Sequence, residues 1–297
     1  MQVYVLLVLC VLFWSANFVL GRFVAGAIDP WELVFFRWSG VLILTIPYFL
    51  FHVKRIVTAL KMHFAILALL SFLGIACFNT LLYSGLHDTT ATNALLINSS
   101  IPILILFFSF VILRTTISIR QVIGIILSTL GVIFLVLKGD IRTLYTLDFN
   151  SGDIWVIASS LCWAMYSVLI KFKPVMLSHF EFFVTTVFLG WVMLLPFYCM
   201  QGYTLHQEIA LLSTYYWVIG YVVIFASIAS YYMWHKGIVA IGASRTGQFT
   251  HLMPIFGSIL AYFFLGERLA WYHLGGILLI GLGLYLCLFM KKSSQVS

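Results

Sequence analysis

Charge is what this sequence has least of. Of its 297 residues, 16 are Lys or Arg and 9 are Asp or Glu, 8% in all, where a soluble domain carries about 25%. Such a chain cannot cover a water-facing surface, which excludes a soluble fold. Long hydrophilic stretches are equally scarce. The longest, KGDIRTLYTLDFNSGD, runs from Lys138 to Asp153 and splits the chain near its midpoint. The five cysteines (Cys10, Cys77, Cys162, Cys199, Cys287) stand singly in apolar segments without metal-ligand spacing, and read as small buried hydrophobes. No HExxH, Walker or GxGxxG pattern occurs. GASRTG from Gly242 has G-x-S-x-x-G spacing rather than that of a nucleophile elbow. No enzyme, cofactor or metal is therefore expected. The N-terminus lacks a basic n-region and a clear cleavage site, so it reads as a first spanning helix rather than a signal peptide.

What is present is hydrophobicity, 63% of residues. A spanning helix needs about 20 mostly apolar residues. Ten such segments follow: 3–22, 32–52, 64–86, 93–113, 119–138, 153–173, 179–200, 215–235, 245–265 and 270–290. The expected fold is an all-α integral membrane protein. With a cytoplasmic N-terminus, the inner side holds Lys54, Arg55, Lys61, Arg114, Arg120, Lys171, Lys173, Lys236, Arg245, Lys291 and Lys292. The outer side holds Arg22, Lys138, Arg142 and Arg268. This asymmetry predicts both termini in the cytoplasm of an inner (plasma) membrane protein. Trp31, Trp155, Tyr215, Tyr216, Trp217, Trp271 and Tyr272 fall at outer helix ends, as an interfacial belt would. The net charge of +7 is thus a topology signal rather than a nucleic-acid footprint. The expected partners are the lipid bilayer and a small-molecule substrate, with a monomer as the expected state and no nucleic acid.

The chain repeats itself. LFWSANFVLGRF (Leu12 to Phe23) matches LCWAMYSVLIKF (Leu161 to Phe172) at an offset of 149, which also pairs Trp14 with Trp163, Glu32 with Glu181 and Pro47 with Pro196. Farther on the offset is 152, pairing Gly85 with Gly237, Pro102 with Pro254, Gly124 with Gly276 and Gly131 with Gly283. Two five-helix halves follow: residues 1–138, a periplasmic linker 139–152, and residues 153–290, then a cytoplasmic tail 291–297. Five is odd, so the second half enters the membrane from the opposite side. Inverted repeats of this kind recur in secondary transporters.

Ten spans in two halves, with the ending GASRTGQFTHLMPIFGSILAYFFLGERLAWYHLGGILLIGLGLYL, resemble the EamA-type exporters of the drug/metabolite transporter superfamily. The run Pro254, Gly266-Glu267, Gly276, Gly283 carries most of the resemblance. It implies a polytopic inner-membrane carrier that exports small metabolites, often amino acids.

Candidate site residues come from polar interruptions in the spans. In TNALLINSSIPILILFF, Asn98, Ser99 and Ser100 precede Pro102; in TGQFTHLMPIFG, Thr250 and His251 precede Pro254. Each proline lies roughly 13–15 Å along its span, near the middle of a ~30 Å hydrocarbon core. Each frees the carbonyl four residues back, of Asn98 and of Thr250, and such groups must face protein or a watery cavity. Trp14 and Asn17 share a helix face, matched by Trp163 and Tyr166. Asn79 and Tyr83 do likewise, matched by Tyr231 and His235. A cavity lined by these groups suits a small amphipathic solute: aromatic faces for an apolar or cationic part, amides and hydroxyls for a zwitterion.

Each candidate also has a purely structural reading. Pro102 and Pro254 can kink helices for packing. Asn98, Ser99 and Ser100 can bridge helices. Trp14 and Trp163 can be core aromatics, and His251 an interhelical histidine. Arg37, about 5 residues from an outer helix end, can snorkel or pair locally. Lys236 and Arg245 read as topology anchors, and Glu267 as an outer-turn cap. The glycines at 124, 131, 276 and 283 allow close approach of the fifth and tenth spans. No Asp or Glu lies mid-span, which disfavours a proton-coupled exporter of bulky cations. The leading expectation is alternating-access export of neutral, in particular aromatic, amino acids or related metabolites. The alternatives are a multidrug efflux carrier and a non-transporting scaffold or sensor.

Overall fold

A computed structural model describes residues 2–146, 148–265 and 270–288. Glu267 and the tail 291–297 lie outside the described residues, so the expectations placed on them are not addressed. The chain is all α. Helices α1 (Gln2–Val24), α2 (Pro30–Phe51), α3 (Val53–Ser71), α4 (Phe78–Asp88), α5 (Ala91–Asn98), α6 (Ile101–Leu113) and α7 (Ile119–Val136) make up the first half. Helices α8 (Ser151–Leu169), α9 (His179–Met200), α10 (Leu205–Tyr221), α11 (Ser230–Ile241), α12 (Ala243–Gly247), α13 (Met253–Leu265) and α14 (Trp271–Leu288) make up the second. Among the described residues, nine helical stretches are long and apolar enough to cross a bilayer. Many of their large apolar side chains face outward, among them Ile43, Leu50, Phe107, Phe263, Leu274 and Leu278. A water-soluble protein would not leave so much apolar surface bare; lipid covers it here.

The helix starts follow local chemistry. Asp29 caps α2 in a box with Glu32, and Ser178 caps α9 in a box with Glu181. These boxes sit at the same offset of 149. They satisfy amide donors that a helix N-terminus leaves bare.

Three expected segments are corrected. The third, expected at 64–86, is a helical stretch from Val53 to Asp88 broken at His63 (φ −133°, ψ 32°). The eighth, expected at 215–235, runs from Leu205 to Ile241 and is broken at Tyr215 (φ −112°, ψ 17°). The basic residues Lys54, Arg55 and Lys61 therefore sit on a helix rather than in a loop. Ile56 and Ala59 anchor one face of it while those charges face out. A Thr204–Gln207 capping box starts the longer eighth segment. The ninth segment, expected as one kinked helix over 245–265, is α12, a 3₁₀ turn Gln248–Leu252 and α13.

Two π-helical segments, Phe72–Cys77 and Val222–Ala229, lead into α4 and α11. A π turn shifts the i→i−4 ladder and commonly marks a functional site.

Helices α7 and α14 pack along their glycines. A Cβ on Gly124 would lie 2.6 Å from the Gly283 carbonyl oxygen, and one on Gly276 would lie 3.1 Å from that of Gly131. A Cβ on Gly283 would meet the Gly124 carbonyl directly. Gly283→Ala is expected to cost about 1–3 kcal/mol by forcing the helices apart, read as a lower melting temperature in detergent. An unchanged melting temperature would contradict this packing.

Candidate functional site

The interrupted helices occupy the centre. Helix α5 ends at Asn98, Ser99 and Ser100 form a turn, and α6 begins at Ile101. Pro102 sits in the first turn of α6, where a missing N–H costs nothing. Pro254 likewise stands in the first turn of α13. Both helices thus break before the proline rather than bending at it. The start of α5 is fixed against α8. Buried Asp153 accepts from Thr89 Oγ1 (2.5 Å) and Asn93 Nδ2 (3.1 Å), and Thr90 caps the helix through the Asn93 amide.

The two breaks touch. His251 Nε2 donates to the Ser99 carbonyl at 3.1 Å. A carbonyl can only accept, so Nε2 carries the proton and Nδ1 is left bare; no partner for Nδ1 appears among the described residues. Residues 99 and 251 are matched at the offset of 152. The same holds for Asn79 and Tyr231, joined at 3.1 Å, and, at the offset of 149, for Trp14 and Trp163, whose rings meet edge-on at 5.1 Å.

The π segments supply a further matched pair. The Gly74 carbonyl accepts from Tyr231 Oη (2.7 Å) and Asn79 Nδ2 (3.3 Å). The Ala226 carbonyl, 152 residues on, accepts from Trp14 Nε1 and Arg37 Nη2, both at 3.0 Å. Tyr83 Oη donates to Asn17 Oδ1 at 2.8 Å. Their counterparts His235 and Tyr166 pair at 2.6 Å.

A cavity of about 30 Å³ lies among these groups. It is lined by Trp14, Asn17, Asn79, Asn98, Trp163 and Thr250 of the expected residues, with Phe18, Arg37, Phe78, Leu82, Ile101 and Met253. Tyr83 and Tyr231 bond to the wall residues Asn17 and Asn79, while Ser99 and His251 are the chain neighbours of the wall residues Asn98 and Thr250. Tyr166 and His235 are fully buried beside Phe182 and do not line it. Two buried polar atoms of the lining have no partner among the described residues: Asn79 Oδ1 and Asn98 Nδ2. Asn98 Oδ1 accepts from Ser160 Oγ at 3.0 Å. At 30 Å³ the cavity holds about one water. A larger cavity of about 490 Å³ lies on the opposite face of α4, against Ala76, Thr80 and Ser84, with Asp29, His87 and Asp88 also lining it. It lacks the buried unpaired amides.

Arg37 is the residue that sequence reasoning misplaced. It neither snorkels nor meets an acid: it is 2% exposed, and donates to Ser227 Oγ (2.7 Å), Tyr83 Oη (2.9 Å) and the Ala226 carbonyl. An arginine inside a span whose one carboxylate, Glu32, is taken up in the capping box at the helix start is the available signal.

Contacts between the halves lie near both ends of α9. Arg55 reaches Glu181 at 3.1 Å near the starts of α3 and α9. At the other end Tyr203 donates to Asp29 at 2.7 Å; partial burial and the Asp29 carboxylate push the Tyr203 phenol up, so it stays a donor.

The sequence profile of the EamA-like transporter family matches residues 1–137 and 150–289. The chain belongs to the EamA-like transporter family. It is similar to the uncharacterized transporter YyaM of Bacillus subtilis (strain 168), with 27% identity over 95% of this chain and 92% of that one. An uncharacterized transporter of Archaeoglobus fulgidus is 27% identical over 96% of each chain. One solved crystal structure superposes with a TM-score of 0.74 at 16% identity, covering 97% of this chain and 96% of that one; it shares the fold. This EamA-family protein is thus a multi-pass membrane transporter.

Proposed function

We propose that this EamA-family protein exports small amphipathic metabolites, in first place aromatic or other neutral amino acids, by alternating access between two inverted five-helix repeats. The halves are residues 1–138 and 153–290, joined by a periplasmic linker, with both termini cytoplasmic in an inner membrane. The single chain is the transporting unit. The observation that carries the reading is the contact of counterparts: Trp14 with Trp163, Asn79 with Tyr231, and Ser99 with His251. A pseudo-twofold axis through the cavity accounts for all three, and the family profile matches each half separately. Repeat interfaces on interrupted helices are where secondary transporters hold substrate.

The proposed cycle breaks two contacts between the halves in turn, Arg55 with Glu181 on one side and Tyr203 with Asp29 on the other. Trp14 and Trp163 offer faces to an apolar side chain, while Asn79 and Asn98 offer one free acceptor and one free donor to a zwitterion. A multidrug carrier is less well supported, because the axial cavity is lined by Asn79 and Asn98, whose amide atoms left unpaired among the described residues suit a zwitterion better than an apolar cation. Purified protein in liposomes preloaded with unlabelled neutral amino acids is expected to accumulate the labelled form by counterflow. Flux of organic cations with none of amino acids would favour the multidrug reading, and no flux of either the scaffold reading.

A further inference from the structure

We propose that Arg37 anchors a carboxylate of the transported molecule, so that the substrates of this protein are acids or zwitterions and not simple amines. The proposal rests on the transporter reading above and narrows its substrate class.

The guanidinium is charged at any physiological pH and weakly hydrated, which suits it to a buried ion pair. Yet its partners here, Ser227 Oγ, Tyr83 Oη, the Ala226 carbonyl and the ring faces of Trp38 (5.0 Å) and Tyr83 (6.0 Å), carry no negative charge. Among the described residues the ion pairs are Arg55 with Glu181 and His87 with Asp88. Asp29, Glu32, Asp88, Asp153, Glu181 and Glu208 all lie at or within a turn or so of helix ends. A buried charge without a counter-charge is costly, and Arg37 is held in place at that cost.

The architecture does not require the charge. The position matched to Arg37 in the second half is Thr186, which is fully buried and bonds only to the Phe183 carbonyl among the partners shown. Arg37 also lines the axial cavity together with Asn98. The Asn98 Nδ2 donor is buried and unpartnered. A guanidinium and a free amide N–H on one small cavity form a donor set for a carboxylate. Asn79 lines the same cavity, and its unpartnered Oδ1 is an acceptor for an ammonium group. Its assignment is secure, because Asn79 Nδ2 faces the Gly74 carbonyl, which can only accept. One cation, one spare donor and one spare acceptor match the two ends of an α-amino acid and disfavour a molecule that is only cationic.

The test uses wild-type protein in liposomes and measures inhibition of amino-acid counterflow by neutral amino acids, their C-terminal amides and their decarboxylated amines. Hydrogen bonds to a charged group contribute enough for the acids to compete about 30-fold better than either carboxylate-free series. Arg37→Gln is expected to narrow that ratio to about threefold or less, and Arg37→Lys to restore part of it; both effects follow from losing or keeping the charge. Should Arg37→Gln fail to fold, the wild-type ratio still decides. Equal competition by acids and amines in the wild type overturns the proposal while leaving transport intact. Absence of counterflow with every probe overturns the transporter reading and the proposal with it.

Discussion

Asn98→Leu lowers transport by about 10-fold to 100-fold with little loss of folded protein. Asn98 closes α5, and its amide is buried at the break between α5 and α6. One side of that amide is engaged, since Oδ1 accepts from Ser160. The other side, Nδ2, has no partner among the described residues, and Asn98 is one of the residues lining the cavity. A buried donor left bare is an energetic cost that a bound acceptor relieves. Leucine is close in shape to asparagine, so packing is largely kept. The Ser160 hydroxyl loses one acceptor, at a cost of about 1 kcal/mol. The solute loses a hydrogen bond that, to a charged group, contributes about 1.5–3 kcal/mol, which sets the range of the expected loss. The measurement is initial counterflow rate per folded protein, with folded protein quantified by size-exclusion chromatography. Unchanged rates would place the solute away from Asn98.

Trp163→Ala is expected to give the largest loss of stability of any single replacement in the centre. The indole is 1% exposed. It meets Trp14 at 5.1 Å, Phe78 at 4.5 Å, Tyr166 at 5.3 Å, and Tyr231 and Trp234 at 5.5 Å. These rings come from both halves, so the cavity left by alanine cannot collapse without moving several helices. Removing a buried tryptophan costs about 3–5 kcal/mol. Trp155→Ala is the control: that ring is 44% exposed at a helix start, and its loss should change stability by about 0.5 kcal/mol or less. Thermal unfolding in detergent compares the two. Equal melting temperatures would mean that the ring cluster does not join the halves.

Much of this organisation is legible in the sequence because it depends on local chemistry. Proline and glycine at matched offsets report where a backbone breaks or approaches another, and those positions lie where the breaks and the α7–α14 contact are found. Hydropathy fixes the spans, since lipid tolerates few alternatives to a helix. Other features depend on distant partners. The π segments at Phe72–Cys77 and Val222–Ala229 have no composition of their own. Their effect is to turn the Gly74 and Ala226 carbonyls toward donors on other helices. Arg37 was read by its depth along one helix, whereas its surroundings are set by Ser227, 190 residues away. The charge density of Lys54, Arg55 and Lys61 mimics a loop; the sign of a helix is Ile56 and Ala59, a turn apart and both buried. Repeat pairing assigns Tyr166 and His235 to the cavity as counterparts of Asn17, which lines it, and Tyr83, which bonds to Asn17. The counterparts of wall residues need not themselves reach the wall when the two halves carry different side chains.

The most direct test of a solute-sized axial cavity that opens to each side in turn is accessibility at Ile101, a buried lining residue. The measurement is modification of Ile101→Cys, in a variant whose five native cysteines are replaced, by a membrane-impermeant maleimide in sealed proteoliposomes. The account predicts labelling from the outside and, with reagent trapped inside, from the lumen, each slowed by a transported amino acid. Labelling from neither side, in a variant that still transports, would contradict it.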